Sequence, residues 1–189
     1  MTVNRHPWAN TLDGLYEQAW ARLSRGVGDR HAPARHPTLA TVSARGMPQA
    51  RIVVLRAVDK QAGILRVYTD LQSAKVDDLR ATPMAALLVW DSSAHLQIRL
   101  QASVTILTGA DAAPLWDKMP EHARMAYGSS PPPGQPVRDA LAYTKSPDPA
   151  SFAVLDLHVL EMDLVHLGPD HRRARYMRED GFAGQWVAP

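Results

Sequence analysis

The stretch from Arg51 to Lys75 concentrates the residues of this 189-residue chain whose types and spacing suit binding chemistry. Arg51 and Arg56 bracket the apolar run IVVL, and Tyr68 and Thr69 close the next β-rich run. Four residues on, Ser73 opens a helical segment whose first turn carries Lys75. A helix N-terminus presents unpaired N–H groups and a partial positive charge, so a cation there is unfavourable unless an anion sits between them. A phosphomonoester needs such an arrangement. On this fragment alone, a solvated lysine on an ordinary capped helix is the simpler reading.

The elements that must position these residues are legible from periodicity. Apolar residues Leu12, Leu15, Tyr16, Ala19 and Leu23 recur at three- and four-residue steps, which predicts an amphipathic helix over about 11–25, capped by Asn10 or Thr11. Residues 26–37 lack a period and read as a loop with exposed His31 and His36. Five β-rich runs follow, TLATVS, QARIVVLRAV, ILRVYT, MAALLVW and LQIRLQASVTIL, joined mostly by hairpin turns. Between the third and fourth, SAKVDDLR (73–80) is expected to be a short helix capped by Ser73. ADAAPLWDKMPEHARMAYG looks helical but is interrupted by Pro120. Residues 129–149 form a proline-rich excursion with at most one short helix near 137–143. FAVLDLHVLEMDLVHL (152–167) is expected to be a long strand, and HRRARYMRED returns as a polar one.

Many antiparallel strands with flanking helices must bury one face and protect their edges, which argues for a barrel and a single domain over 1–189. The expected fold class is mainly β, a split antiparallel barrel of six or more strands with Greek-key connections and flanking α-helices. No G-x-G-x-x-G, G-x-x-x-x-G-K-[ST], G-x-S-x-G or H-E-x-x-H motif occurs, so the corresponding nucleotide, hydrolase and metalloprotease chemistries lack their first requirement. The chain has no cysteine, which removes disulfides, thiolate nucleophiles, iron–sulfur clusters and cysteine-based zinc sites. Its net charge is only +2, so no strong field advertises nucleic acid or an acidic membrane. No apolar run reaches the roughly 20 residues of a membrane span, and the N-terminus lacks a signal-peptide pattern. A cytoplasmic protein is expected.

In order along the chain, RIVVLR (51–56), YTDLQSAK (68–75), ATPMAALLVW (81–90) and LQIRLQASVTIL (96–107) resemble the pyridoxamine 5′-phosphate oxidase-like family of FMN-binding split barrels. HRRARY and the closing WVAP carry a weaker echo. The resemblance implies a homodimer with FMN in clefts between the subunits. It places Arg51 and Lys75 on the FMN phosphate, aided by Ser73 and Thr69, with Tyr68 also among the cofactor contacts. Where the family has an arginine before that lysine this chain has Ala74, so one phosphate cation is missing. The backbone of Ile52, Val53 and Val54 would lie against the flavin, Arg56 would stand near flavin and substrate, and Gln97 and Gln135 would match the ring-contacting glutamines. Arg175 falls on a flavin-contacting arginine, while His171 and Arg173 fall on the substrate-gripping pair with types reversed, and Val165 replaces a tryptophan. The family's Tyr, Arg and Ser for substrate phosphate, at four-residue spacing, are not matched around Arg124, whose neighbours at that spacing are Pro120 and Gly128. The FMN half of the pattern is therefore present and the pyridoxine half is not.

These features carry two main readings, an FMN-dependent oxidoreductase acting on a small molecule and a non-catalytic flavin or cofactor carrier on the same barrel. A nucleic-acid patch at Arg172, Arg173, Arg175 and Arg178 is opposed by the adjacent Glu179 and Asp180. No metal site is expected, because the eight histidines are scattered.

Overall fold

The computed structural model describes residues 6–189. A 3-10 turn over Pro7–Asn10 leads into α1 (Leu12–Gly28), whose N-cap is Thr11, its hydroxyl accepting from the Gly14 N–H at 3.1 Å. The helix runs three residues beyond the periodic segment and buries Leu15, Ala19, Trp20, Leu23 and Gly26. Gly26 is required by close approach, since a Cβ there would lie 2.6 Å from the Ala34 carbonyl carbon.

The strands are β1 (Thr38–Val42), β2 (Pro48–Ile52), β3 (Leu55–Asp59) and β4 (Ile64–Asp70). After α2 (Ala74–Ala81) come β5 (Met84–Asp91) and β6 (Leu96–Leu107). Two short helices, α3 (Ala113–Asp117) and α4 (Glu121–Arg124), are separated by Pro120, which serves as N-cap of the second. The proline-rich excursion holds only the two-residue strands β7 (Ser129–Ser130) and β8 (Thr144–Lys145), with no helix at 137–143. β9 (Phe152–Leu167), β10 (His171–Met177) and β11 (Gln185–Val187) complete the chain.

All pairings are antiparallel. The sheet runs β2-β1-β5-β6-β9, and from β9 it forks. The first half of β9 pairs with β4, which carries β3, and its second half pairs with β10, which carries β11. The run QARIVVLRAV is thus not one strand: it breaks at Val53–Val54, and its two parts, β2 and β3, form opposite edges of the sheet. Because only two residues join these edges, the sheet must curl until they approach, yet they do not pair. The result is a split barrel.

The core lies inside this curl and beneath α1, where Leu39, Leu55, Leu65, Leu87, Ile98, Leu157 and Trp20 are almost completely buried. Each contributes roughly 1.5–3 kcal/mol relative to an exposed position. A second cluster, built from Trp116, Met119, Tyr127, Phe152 and Val154, packs α3 and the following loop onto the start of β9.

His166, at the end of β9, is buried and lies 3.0 Å from the His6 ring, with Trp8 against it edge-on at 5.4 Å. Burial, reinforced by the positive charges of His6, Arg172, His95 and His171, lowers its pKa from 6.5 to about 4. The unfolded chain binds this proton first, so folding stability falls as pH drops from 6.5 toward 4. The full effect is roughly 3 kcal/mol. We predict that urea denaturation midpoints of His166→Gln fall less between pH 7 and pH 4.5 than those of the wild type, and parallel losses would contradict this assignment.

Candidate functional site

The Arg51–Lys75 segment folds into a compact polar lobe between β1, the end of β2, the end of β4 and the start of α2. Thr41 on β1 and Asp78 on α2 are both buried, and the Thr41 hydroxyl donates to Asp78 Oδ2 at 2.6 Å. Arg51, opposite Leu39 in the β1–β2 register, donates from Nη1 to Thr41 Oγ1 at 2.7 Å. Its Nη2 lies 3.5 Å from Asp78 Oδ2. Asp78 is thus the counter-charge that keeps the arginine in place.

Lys75 projects from the first turn of α2, and its Nζ donates to Thr69 Oγ1 at 3.0 Å. The Thr69 and Ser73 hydroxyls are 3.1 Å apart, and Ser73 donates to the Asp70 carbonyl at 2.7 Å. That bond corrects the expected cap: Ser73 occupies the N-cap position, but no side chain caps α2. Burial pushes the Lys75 ammonium below its ordinary value of 10.5, and the Arg51 charge pushes the same way, while Asp70 and Asp78 pull back. Two cations, two hydroxyls and an uncapped helix start therefore converge with their charges incompletely compensated, which is how a protein holds a dianionic phosphate. Sequence reasoning missed Thr41 and Asp78, whose only signal is a polar residue on the inward face of a strand and one of two adjacent acids.

Arg56 sits beside this lobe. The β3–β4 register slips between Leu55 and Ala57, which makes Arg56 the extra residue of a bulge and re-aims its side chain. Its guanidinium lies over the Tyr68 ring, 5.6 Å from the centroid, and its Nε is buried without a hydrogen-bond partner. Next to it is Tyr127, only 5% exposed. Burial pushes the Tyr127 phenol above its ordinary 10.0, and the adjacent Arg56 draws it back. Tyr127 is wedged against Phe152 at 5.1 Å, and the following Gly128 N–H is bound by Asp70 Oδ2 at 3.0 Å. Gly128 has φ +99, and a Cβ there would lie 2.3 Å from the Ser146 carbonyl oxygen, so only glycine fits. Arg124, the residue singled out from the sequence in this segment, turns away over Trp116 and donates to the Asp117 carbonyl at 2.9 Å.

The remaining sequence candidates lie elsewhere. Ile52 is 62% exposed at the barrel split, Val53 is buried with its N–H on the Pro37 carbonyl, and Val54 is half-buried. Gln97, at the start of β6, is opposite Val165 near the end of β9, and Gln135 is exposed in the proline-rich excursion. His171 is exposed at the start of β10. Arg173 makes a bidentate pair with buried Asp163 at 3.0 and 2.7 Å, and Arg99 pairs with the same carboxylate. Burial alone would raise Asp163, but hydrogen bonding from Arg173 and the two arginine charges outweigh it and hold the carboxyl below its usual range. Arg175 pairs with buried Glu161 at 2.8 Å. Asp163 and Glu161 carried no sequence signal. Arg172 and Arg178 are likewise engaged, the first by Asn10 and the second by the carbonyls of Ala62, Gly63 and Val159.

The two groups of candidates are separated along β9. Thr69 pairs with Ala153 and Arg175 with Asp163, ten residues on, so they are roughly 33 Å apart along the strand. One chain cannot bring both to one mononucleotide. Among the described residues no group of three or more His, Asp or Glu is placed to hold a metal ion, and no helix is long and apolar enough to cross a membrane.

Comparison with known proteins identifies the family of this chain. The family model for pyridoxamine 5′-phosphate oxidase matches residues 33–166, which include β1 to β9 almost entirely. A pyridoxine/pyridoxamine 5′-phosphate oxidase from Cyanothece sp. is 28% identical over 152 residues, covering 80% of this chain and 62% of that protein. One from Caulobacter vibrioides is 36% identical over 108 residues, covering 57% and 47% respectively. The chain thus spans about half to three-fifths of the length of these curated relatives. A crystal structure of a pyridoxamine 5′-phosphate oxidase-related, FMN binding protein from Nostoc punctiforme superposes with a TM-score of 0.75 at 28% identity, over the whole of both chains. The family model covers well over half of the sequence, and the split barrel and the order of its strands agree with it. This chain belongs to the pyridoxamine 5′-phosphate oxidase family.

Proposed function

We propose that this protein is an FMN-binding oxidoreductase of small molecules, built as a homodimer in which each cofactor lies between subunits. The carrying observation is the lobe where Arg51 and half-buried Lys75 converge with Thr69, Ser73 and the start of α2. Arg51 and Lys75 would neutralise the phosphate, and the two hydroxyls would orient it. The residues present fit the group: among the described residues Lys75 Nζ donates only to the Thr69 hydroxyl beside the Ser73 hydroxyl, and burial followed by the Arg51 charge holds its ammonium below the ordinary value. The backbone from exposed Ile52 to half-buried Val54 and the adjacent Arg56 and Tyr68 would face the ring. When bound, FMN supplies the two-electron chemistry, and the chain supplies orientation, charge and exclusion of water.

The separation along β9 supports the homodimer reading. If Gln97 and Arg175 contact the flavin, they belong to the partner of the chain whose Lys75 holds the phosphate. The sheet face around β5 is suited to such contact, since Ile52, Met84, Leu88 and Trp90 are each 40–62% exposed. A cysteine-free chain of this kind suits the cytoplasm, and residues 1–189 are read as one FMN-binding domain.

A non-catalytic flavin carrier is the competing reading, favoured by one observation: Arg173 and Arg175 are already neutralised by Asp163 and Glu161. Reduction of bound flavin by NADH, NADPH or an amine supports the oxidoreductase, and flavin reducible only by dithionite supports the carrier.

Lys75→Ala is expected to weaken FMN by roughly tenfold or more, the loss of one charge-assisted contact, while riboflavin affinity changes little because it has no phosphate. Fluorescence titration measures both, and equal losses would refute the phosphate role. Sedimentation of the FMN-loaded protein should give a dimer at micromolar concentration, and a monomer with bound FMN would contradict the shared cleft.

A further inference from the structure

We propose that Arg56 and Tyr127 form a carboxylate-recognition site beside the flavin cleft, so that the small molecule taken there is an unphosphorylated monocarboxylic acid. This rests on the FMN reading above and adds the chemical class of the second ligand. Three observations carry it. The bulge at Arg56 takes its side chain out of the strand's alternation and turns it toward Tyr68 and Tyr127, so the placement is built by the backbone. The guanidinium forms no ion pair among the described residues, and its Nε is buried without a partner. By contrast, Arg51, Arg66, Arg99, Arg173 and Arg175 each face a carboxylate. The field of Arg56 reaches Arg35, which is committed to the carbonyls of Val27 at 2.8 Å and Leu55 at 3.2 Å, so an anion at Arg56 relieves repulsion between the two.

Tyr127 supplies the second donor. Its buried ring is fixed by Phe152 and Trp116, and the Asp70–Gly128 bond anchors the backbone next to it. The Arg56 guanidinium lies close enough to draw on the phenol, while burial outweighs it and keeps the phenol protonated, and so a donor, through neutral pH. One guanidinium and one phenol offer donors for the two oxygens of a carboxylate. The cluster that packs around Tyr127 adds no further cation: Leu115, Met119 and Ala123 on α3, α4 and the turn between them are apolar and partly or fully buried, and Arg124 is folded onto Trp116. The phosphate lobe a few residues away musters two cations and two hydroxyls for that task.

The test titrates benzoate and phenyl phosphate into the FMN-loaded protein, following the flavin absorption spectrum. Benzoate should give a saturable shift and phenyl phosphate a weaker one. Tyr127→Phe, which keeps the ring and its packing, should weaken benzoate roughly tenfold while leaving FMN affinity within about threefold. Arg56→Gln should weaken benzoate by at least as much. If FMN binds but benzoate does not, or benzoate ignores Tyr127→Phe, or phenyl phosphate binds tighter in a Tyr127-dependent way, the carboxylate site is overturned and the FMN reading stands. If FMN itself does not bind the wild type, the FMN reading falls and takes this site with it.

Discussion

Holding two like charges side by side at a half-buried position is the constraint around which this site is organised. Arg51 and Lys75 repel one another, and burial disfavours the charge of the lysine, so each needs an internal acceptor before any ligand arrives. The fold answers with Asp78, locked to Thr41, for the arginine and with the Thr69–Ser73 hydroxyl pair for the lysine. These partners come from β1, β4 and α2, so the lobe exists only when the barrel has curled. The compensation is partial, which leaves the lobe poised for an anion.

The second organising feature is the length of β9. Its sixteen residues pair along one edge with β6 and along the other with β4 and then β10. One strand therefore carries two chemically different ends: the Arg51–Lys75 lobe and the Tyr127 cluster near its start, and the paired arginines Arg99, Arg173 and Arg175 over Asp163 and Glu161 near its finish. A cofactor contacted by both ends requires two copies of the chain. The arginines at the finish are neutralised by buried carboxylates, whereas Lys75 and Arg56 near the start form no ion pair among the described residues.

Regular elements were legible because their periodicity is local. The limits of β6 and β9 are the ones that alternation predicts, and α1 and α2 fall within a few residues of their expected bounds. The break at Val53–Val54 was not legible, since IVVL is uniformly apolar and only the closure of the sheet bends it. Arg51, Arg56, Thr69, Ser73 and Lys75 could be found because they lie within one short segment. Their partners Thr41, Asp78 and Tyr127 could not, because their importance comes from contacts across the barrel. Ser73 shows the same limit at one residue: its position at the helix start was evident, while the Asp70 carbonyl that accepts from its hydroxyl was set by the preceding turn.

Binding of FMN itself tests the central claim most directly. Titration of FMN into the purified protein, followed by quenching of flavin fluorescence, should saturate at one FMN per chain, and inorganic phosphate should compete with it at the Arg51–Lys75 lobe. Absence of quenching at micromolar protein, or saturable binding that phosphate does not weaken, would contradict a site organised around the phosphate.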